Sequence, residues 1–383
     1  MTNTSEIIAE KLLSLSRKFG SEHADVLITK GRNESVEVRE GELEQIEGSD
    51  SLSISLRVIN NQKSAIVSCS DDSIESLEQM TKRATEIANE SIPNPFIGLA
   101  NNSDLAQKST KASIDLSEPE ELILNDPLKL KDMALRAEKA ALNSEGISKT
   151  DGSSASSSQH ELLLATSNGF SDSYNKSSYA IVASAISTCG SKMERDYAFE
   201  QRVYFEDLPQ PETIGLLAAK RAKMMQGAKK PVTGNYPVIF HERISGSIVS
   251  HILAAINGEA IARGSSWLLD SMNNKILPEN VSLIEDPHLP RMSGSRPFDA
   301  EGLLTSKNFF VRNGVLKSWI LDLKTGRQLG LKSTGNATRS ASGPPSPGTG
   351  NVELKGSDQS LNDLLKEAGE GLMVCSLIGS SIN

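Results

Sequence analysis

The sequence has few cysteines and no long apolar run. Three cysteines are spread over 383 residues, with no CxxC pair among them, and an odd, widely spaced set favours a reducing compartment over a disulfide framework. No stretch approaches the roughly 18 apolar residues that a membrane helix requires. The first residues lack the charged and apolar regions of a signal peptide. These absences predict a cytoplasmic protein.

Positive charge is also in short supply. The formal net charge is −9, whereas nucleic-acid binders usually carry a basic stripe or patch. The local cluster of Lys and Arg at 220–230 is expected to be the solvated end of a helix. The sequence contains no P-loop, no Gly-rich dinucleotide fingerprint and no G-x-S-x-G nucleophile elbow. Nucleic-acid binding and the nucleotide- and serine-based chemistries of these motifs are therefore disfavoured.

The chain is long enough for two or three domains with cores of their own, and the order of its elements predicts an α+β fold. Residues 1–90 read as a helix, an antiparallel sheet and a second helix, which together form an N-terminal α+β domain. Residues 91–117 are rich in Pro, Asn, Ser and Lys and predict a linker. Residues 118–230 repeat the order of helix, strands and helix, which predicts a central α+β domain.

Residues 231–383 contain more Gly and Pro turns and predict a mostly β C-terminal domain. A short buried strand at 238–240 leads into a long helix at 244–262, whose apolar residues recur every four positions. A second buried strand is predicted at 372–378. Because the sequence stops soon after this strand, we expect the C-terminal domain to be truncated, which the mass of the intact protein would test.

The helix at 244–262 is the first candidate for chemistry. A zinc-peptidase helix would carry a second His and a Glu one turn before His251, but this sequence has Gly246 and Ser247 there. His241 lies about 15 Å from His251 along a helix axis, too far to share an ion whose ligand bonds are about 2 Å long. We therefore interpret His241 and Glu242 as a polar pair at the helix entry.

Two further groups of polar residues remain open to alternative interpretations. His288 follows Asp286 and a proline, which is typical of a turn, although a histidine beside carboxylates also suits a metal site or an independent hydrolase that uses Asp299. Asp299 and Glu301 lie between Gly and Pro, shortly after Arg296. They either build a rigid functional loop or form an ion pair with that arginine.

Several segments match a known pattern in order along essentially the whole chain. The most specific are R-P-F-D-A-E-G at 296–302 and S-T-G-N-A-T-R at 333–339. Others are T-S-N-G at 166–169, G-N-Y-P-V at 234–238 and the pieces around 258–264. Together they resemble the PmbA/TldD family, formerly described as modulators of DNA gyrase.

The resemblance implies a heterodimeric zinc metallopeptidase. The TldD branch of the family carries H-E-x-x-x-H on this helix, with a Cys nearer the C-terminus as the third ligand. If His251 aligns with the last His, Gly246 and Ser247 stand where a zinc ligand and a carboxylate general base are needed. Cys375 does not match the ligand Cys, whose position lies past residue 383. The chain therefore resembles the PmbA (TldE) branch, which lacks the metal motif.

The resemblance further implies no catalytic residue and no cofactor in this chain, with zinc held by a TldD-like partner subunit. The two subunits would close a chamber that processes or degrades unfolded peptides; nucleic acid and membranes are not expected partners. The candidate chamber or interface residues are His288, Arg296, Asp299, Glu301, Asn336 and Arg339. The alternative is a homodimeric binding or regulatory protein without peptidase activity, in which apolar helix faces form the interface.

Overall fold

One antiparallel sheet runs through the first 230 residues. The computed structural model describes residues 4–107, 114–120 and 125–379. Among these residues, seven strands form the sheet: β1 (His23–Arg39), β2 (Glu42–Asn60), β3 (Lys63–Cys69), β4 (Ile147–Lys149), β5 (Ser153–Thr166), β6 (Ser171–Cys189) and β7 (Lys192–Arg202). Their order is β3-β2-β1-β5-β6-β4, and β7 also pairs with β6. The predicted N-terminal and central segments thus contribute strands to a single sheet, joined where β1 pairs with β5.

The strands are longer than the sequence pattern predicts. The apolar alternation in β2 suggests separate strands at 43–47 and 51–59, but its pairing with β1 continues through the gap. Residues 42–51 of β2 are exposed, whereas 54–60 are buried. A strand needs alternating apolar residues only where one of its faces is buried. The apolar alternation of β2 is therefore lost in its first half, which lies outside the core.

Four helices cover one face of this sheet: α1 (Thr4–Lys18), α2 (Ile74–Glu90), α3 (Pro127–Leu142) and α4 (Pro211–Met224). The helices α1 and α2 pack on Val26 and Ile28 of β1, and α3 and α4 pack on Val36 and Val38. Successive side chains of a strand point to opposite faces. The odd-numbered residues of β1 therefore face the other side, where the C-terminal part of the chain lies.

The contact between α3 and α4 depends on a glycine. A Cβ atom built on Gly215 would lie 2.0 Å from the carbonyl oxygen of Ala137, far inside van der Waals contact. The two helices can approach this closely only because position 215 has no side chain. Apolar residues of both helices, including Leu130 and Ile214, are then fully buried beneath the sheet.

The C-terminal part is strand-rich, as predicted, and the α+β class is confirmed. This part contains the strands β9 (Ser282–Glu285), β10 (Asn308–Arg312), β11 (Val315–Leu316), β12 (Ala337–Thr338), β13 (Ser346–Pro347) and β14 (Val352–Lys355), and the helices α5 (Glu242–Ala255), α6 (Gly258–Ala262) and α7 (Leu323–Gln328). Four of the strands form a sheet in the order β11-β10-β9-β14. Phe310 and Val311 of β10 pack against Ile256 and Ile320 in its core.

The predicted single helix at 244–262 is two helices, α5 and α6. The side chain of Asn257 accepts a hydrogen bond from the backbone N–H of Glu259 and so begins a new helix. Gly258 donates its N–H to the carbonyl of Ile320 at 2.8 Å, and a Cβ there would lie 2.6 Å from Oγ1 of Thr325. The helix breaks because this tertiary contact replaces the helical hydrogen bond.

Strands are present at 238–240 and 372–374, as predicted, but the prediction that they are buried was wrong, and the second is shorter than the predicted 372–378. The strand β8 (Val238–Phe240) pairs in parallel with β15 (Leu372–Val374), but Val238 is 47% and Phe240 is 44% exposed. The strand β15 is half-buried and ends at Val374. The helix α8 (Leu361–Ala368), which contacts β8, has no buried side chain of its own. Because little besides α8 packs on this two-stranded sheet among the described elements, Val238 and Phe240 stay exposed.

Some predictions concern residues outside the described ranges. These are the chain end at 380–383, where truncation was expected, and positions 108–113 of the predicted linker. Across the described part of the chain, no helix is long and apolar enough to cross a membrane.

Candidate functional site

The helix α5 carries the three positions of the expected zinc motif. Gly246 is exposed, and a Cβ built on it meets no atom within 4 Å. Ser247 and His251 are half-buried. A catalytic zinc takes about three protein ligands, and these positions offer one imidazole, so the donor set does not fit zinc. Within residues 4–107, 114–120 and 125–379, no three His, Cys, Asp or Glu side chains are grouped closely enough to hold a metal.

The residues before this motif form the helix entry, as predicted. Nδ1 of His241 accepts a hydrogen bond from the backbone N–H of Arg243 at 3.2 Å and caps α5. The Arg243 guanidinium donates two hydrogen bonds to Asp196 of β7, at 3.0 and 2.8 Å. It also lies over the ring of Tyr197, 5.0 Å from its centroid. This polar group therefore attaches α5 to the large sheet.

A second group of charged residues lies between the open face of the large sheet and the C-terminal part. Asp25 of β1 accepts hydrogen bonds from Arg57 of β2, at 2.6 Å from Nε, and from Arg339. Arg339 also donates to Oγ of Ser55 at 2.8 Å. Burial alone would raise the pKa of Asp25, but the charges of the two arginines outweigh it and hold that pKa below its ordinary value.

Asp299 joins the two segments that carry the family resemblance. Its Oδ1 accepts hydrogen bonds from the backbone N–H groups of Glu301 and Leu303, at 2.9 and 3.0 Å. Its Oδ2 accepts one from Ala337 at 3.1 Å, and the N–H of Ala300 donates to the Ala337 carbonyl at 3.0 Å. Of the two interpretations left open, the rigid loop is the one observed for Asp299.

The carboxyls of Asp299 and Glu301 hold their protons to unusually high pH. Both side chains are buried, which raises the pKa of Asp299 to about 6 against the opposing effect of backbone N–H donors. Burial, and then the charge of Asp299, raise the pKa of Glu301 to about 8, although Arg57 opposes this shift. Glu301 accepts a hydrogen bond from the backbone N–H of Leu323 at 2.8 Å. With its pKa raised to about 8, Glu301 is mostly protonated at pH 7 and adds little charge to the interior.

Arg296 pairs with neither Asp299 nor Glu301 in an ion pair. Its Nη2 lies 3.4 Å from Oε1 of Glu285, at the end of β9. The same carboxylate accepts 2.6 Å hydrogen bonds from Nδ2 of Asn336 and from the N–H of Gly350. From the sequence, Glu285 was considered only as a carboxylate near His288, yet it is the residue that brings Arg296 and Asn336 together.

His288 lies at the border of this group. Its backbone N–H donates to Oδ1 of Asp286 at 3.1 Å, which confirms the predicted turn. Its Nε2 lies 3.0 Å from Oγ1 of Thr305, which donates to the carbonyl of Arg296 at 2.8 Å. Asp286 pairs with Lys307 at 3.1 Å. Among the described residues, no hydrogen bond joins the imidazole to Asp286 or Asp299, the two carboxylates proposed for a hydrolase; its Nε2 faces Thr305 instead.

Family models identify the chain's relatives. Models described as PmbA/TldA metallopeptidase match in order: domain 1 at residues 24–88, the central domain at 117–226 and the C-terminal domain at 233–383. The metalloprotease PmbA of Escherichia coli O157:H7 is 31% identical over 364 residues, which cover 95% of this chain and 78% of that protein. The chain belongs to the PmbA/TldD metallopeptidase family.

Other relatives and solved structures agree with this assignment. A metalloprotease TldD homolog of Buchnera aphidicola is 26% identical over 168 residues, 43% of this chain and 35% of that protein. A Bacteroides thetaiotaomicron protein named as a modulator of DNA gyrase superposes with a TM-score of 0.89, at 24% identity over 99% of this chain and 83% of its own. TldE of Thermococcus kodakarensis superposes with a TM-score of 0.85, at 21% identity over 97% of this chain and 83% of its own. Because the sequence identities to these two solved structures are below 25%, the superpositions establish a shared fold only.

In this PmbA/TldD chain, five of the six candidate chamber residues have buried side chains in one group, namely Arg296, Asp299, Glu301, Asn336 and Arg339. Sequence reasoning missed Asp25 and Arg57, and it considered Glu285 only as a carboxylate near His288. In β2, Arg57 alternates with apolar residues, a pattern typical of a solvated face, but the C-terminal part covers that face. The signal that could have indicated them is an acidic residue and a basic residue directly opposite each other on paired strands, Asp25 and Arg57.

Proposed function

We propose that this chain is the PmbA/TldE-type subunit of a cytoplasmic zinc metallopeptidase complex, and that a TldD-like partner subunit carries the zinc. The observation that carries the proposal is the identity of Gly246 and Ser247 on α5. Position 246 offers no ligand, and a serine is no carboxylate general base. The similarity to proteins named PmbA over most of the chain supports the same assignment.

In this proposal the chain shapes a chamber for unfolded peptides. Asp299 and Asn336 are each 1% exposed, and the Arg339 side chain is fully buried. Arg339 holds the C-terminal part on the large sheet through Asp25 and Ser55. Asp299 and Asn336 hold segments of the C-terminal part together, through Ala337 and Glu285. All three are positioning residues for the subunit's shape, and peptide hydrolysis is assigned to the partner.

Co-expression with a TldD-type subunit tests the proposal. We would purify this chain alone, the partner alone and the two together, and measure bound zinc by mass spectrometry and hydrolysis of casein. We expect a stable heterodimer whose zinc follows the partner, and no hydrolysis by this chain alone. A partner in which the first motif histidine is replaced by alanine serves as the matched control, since it should form the complex without activity. Stoichiometric zinc on this chain alone, or hydrolysis by it, would overturn the proposal.

A homodimeric binding protein is the second candidate, favoured by exposed apolar side chains. The residues concerned are Met193, Tyr197, Phe199, Leu216, Met224, Val238 and Phe240. Light scattering on the purified chain would give its oligomeric state. A homodimer that persists when a TldD-type subunit is added supports this candidate, and its replacement by a heterodimer excludes it.

A further inference from the structure

A cavity of about 300 Å³ lies between the open face of the large sheet and the C-terminal part. Its apolar wall is formed by Leu27, Leu162, Leu164, Tyr174 and Phe298. The ring of Phe298 is held edge-on by Phe170 and Tyr174, with centroids 5.1 and 5.3 Å away. The volume is at the lower end of the range for sites that bind small molecules.

The charged wall of the cavity has more cations than anions. Among the described residues that line it, Lys176, Arg296 and Arg339 are cationic, and Asp299 is the one carboxylate. Asp299 already accepts three backbone hydrogen bonds. Its pKa is raised to about 6 chiefly by burial, so part of its charge is lost near neutral pH. Because Arg296 pairs with Glu285 and Arg339 with Asp25, the positive charge of this wall comes mainly from Lys176, which lies beside the apolar surface.

Two arginines that line this cavity have an unused donor. The Arg296 side chain is 10% exposed, whereas the Arg339 side chain is fully buried and its guanidinium is held behind the wall by Asp25 and Ser55. In each of them the Nε–H is buried and donates to no acceptor in the described part of the chain. Buried donors without an acceptor are unusual in native proteins, and each requires an explanation such as a ligand.

Lys176 is a third donor at the same place. Its Nζ donates to the carbonyl of Ser293 at 2.9 Å, which satisfies one of its three N–H groups. Burial, and then the charge of Arg296, lower the pKa of Lys176 to about 8. An anion between Lys176 and Arg296 would relieve their repulsion and accept their remaining hydrogen bonds.

We propose that this cavity binds the carboxylate of a peptide's C-terminal residue, with an apolar last side chain against Phe298 and Leu162. A carboxylate is planar and matches the donor geometry of a guanidinium group such as that of Arg296, and Leu27, Leu162, Leu164 and Phe298 give the adjacent wall an apolar surface for a side chain. That the ligand is a peptide rests on the proposed function, whereas a carboxylate beside an apolar group rests on the cavity.

Calorimetric titration of the chain alone tests the inference. The probes are Ala-Ala-Leu and the same tripeptide with a C-terminal amide. We expect the acid to bind at least about tenfold more tightly, because hydrogen bonds to charged groups are the strong ones. Lys176→Met should weaken binding of the acid about tenfold and leave the amide unchanged. Lys192→Met is the matched control, since Lys192 is an exposed lysine at the start of β7, and thermal unfolding verifies that each variant is folded.

Acetate and inorganic phosphate, titrated separately, distinguish a peptide end from any small anion. Equal binding of acid and amide would overturn the inference, as would binding of acetate or phosphate as tight as that of the tripeptide. An unchanged affinity in Lys176→Met would also overturn it. None of these measurements requires zinc or a partner. A failed titration therefore leaves the subunit assignment intact, and failed co-purification leaves the cavity's ligand intact.

Discussion

Replacing Glu301 with glutamine should make the protein's stability much less dependent on pH. In the unfolded chain this carboxyl titrates near its ordinary pKa of 4.5, whereas burial and Asp299 raise its pKa in the folded protein to about 8. Between these values the native state holds one more proton than the unfolded state. The free energy of unfolding of the natural protein therefore falls as pH rises through this window.

The size of this pH dependence follows from the one extra proton that the folded protein binds. A difference of one bound proton changes the free energy of unfolding by about 1.4 kcal/mol per pH unit. From pH 6.0 to 7.5, between the pKa of about 6 for Asp299 and that of about 8 for Glu301, the titration of Glu301 should cost the natural protein about 2 kcal/mol. Glu301→Gln removes this cost, because the amide is neutral at every pH and its oxygen can still accept the hydrogen bond of Leu323.

Urea unfolding followed by circular dichroism at pH 6.0, 6.75 and 7.5 measures the effect. The difference in free energy of unfolding between the variant and the natural protein should grow with pH by about 2 kcal/mol over this range. Glu10→Gln, at an exposed carboxylate of α1, controls for the loss of one negative charge at the surface. Parallel pH profiles for the natural protein and Glu301→Gln would refute the claim that Glu301 is protonated at neutral pH.

Three further substitutions test the packing. Gly246→Ala should raise the free energy of unfolding by about 0.5–1 kcal/mol, because the exposed site is open and glycine is a poor helix former; urea unfolding with no gain would contradict the open environment seen on α5. Gly215→Ala should lower it by about 1–3 kcal/mol, since the new Cβ overlaps the Ala137 carbonyl, and an unchanged midpoint of thermal unfolding would show that α3 and α4 can separate. Asp25→Ala should lower it by about 3–5 kcal/mol, because two buried guanidinium groups lose their partner; an effect as small as that of an exposed aspartate would argue against the buried pair.

Local patterns predicted the elements of this fold well, because each depends on neighbouring residues. The helix α2 begins at Ile74 and ends at Glu90, close to the limits set by its apolar periodicity. The sequence could not show that β1 pairs with β5, because pairing between residues more than 100 positions apart leaves no mark on local alternation. The break at Asn257 was missed for the same reason, since it depends on the contact between Gly258 and Ile320.

The candidate site was predicted in part. The segments at 296–302 and 333–339 were identified as special, and the structure places them against each other around Asp299. Their partners in the large sheet were missed because a charged residue in a half-exposed strand has the same pattern whether water or another domain covers it. Only the tertiary structure shows that Asp25 and Arg57 are covered by Arg339.

The strand β1 pairs with β2 on one edge and with β5 on the other, and the second pairing forms late during synthesis on the ribosome. The edge of β1 that pairs with β5 stays unpaired until residues 153–166 have emerged. Roughly 130 residues separate the ends of the two strands, which takes about 6–25 s at common translation rates. For that time the nascent chain presents a long open strand edge, which favours association with other chains. Slower translation after β1 should therefore increase aggregation of the nascent protein.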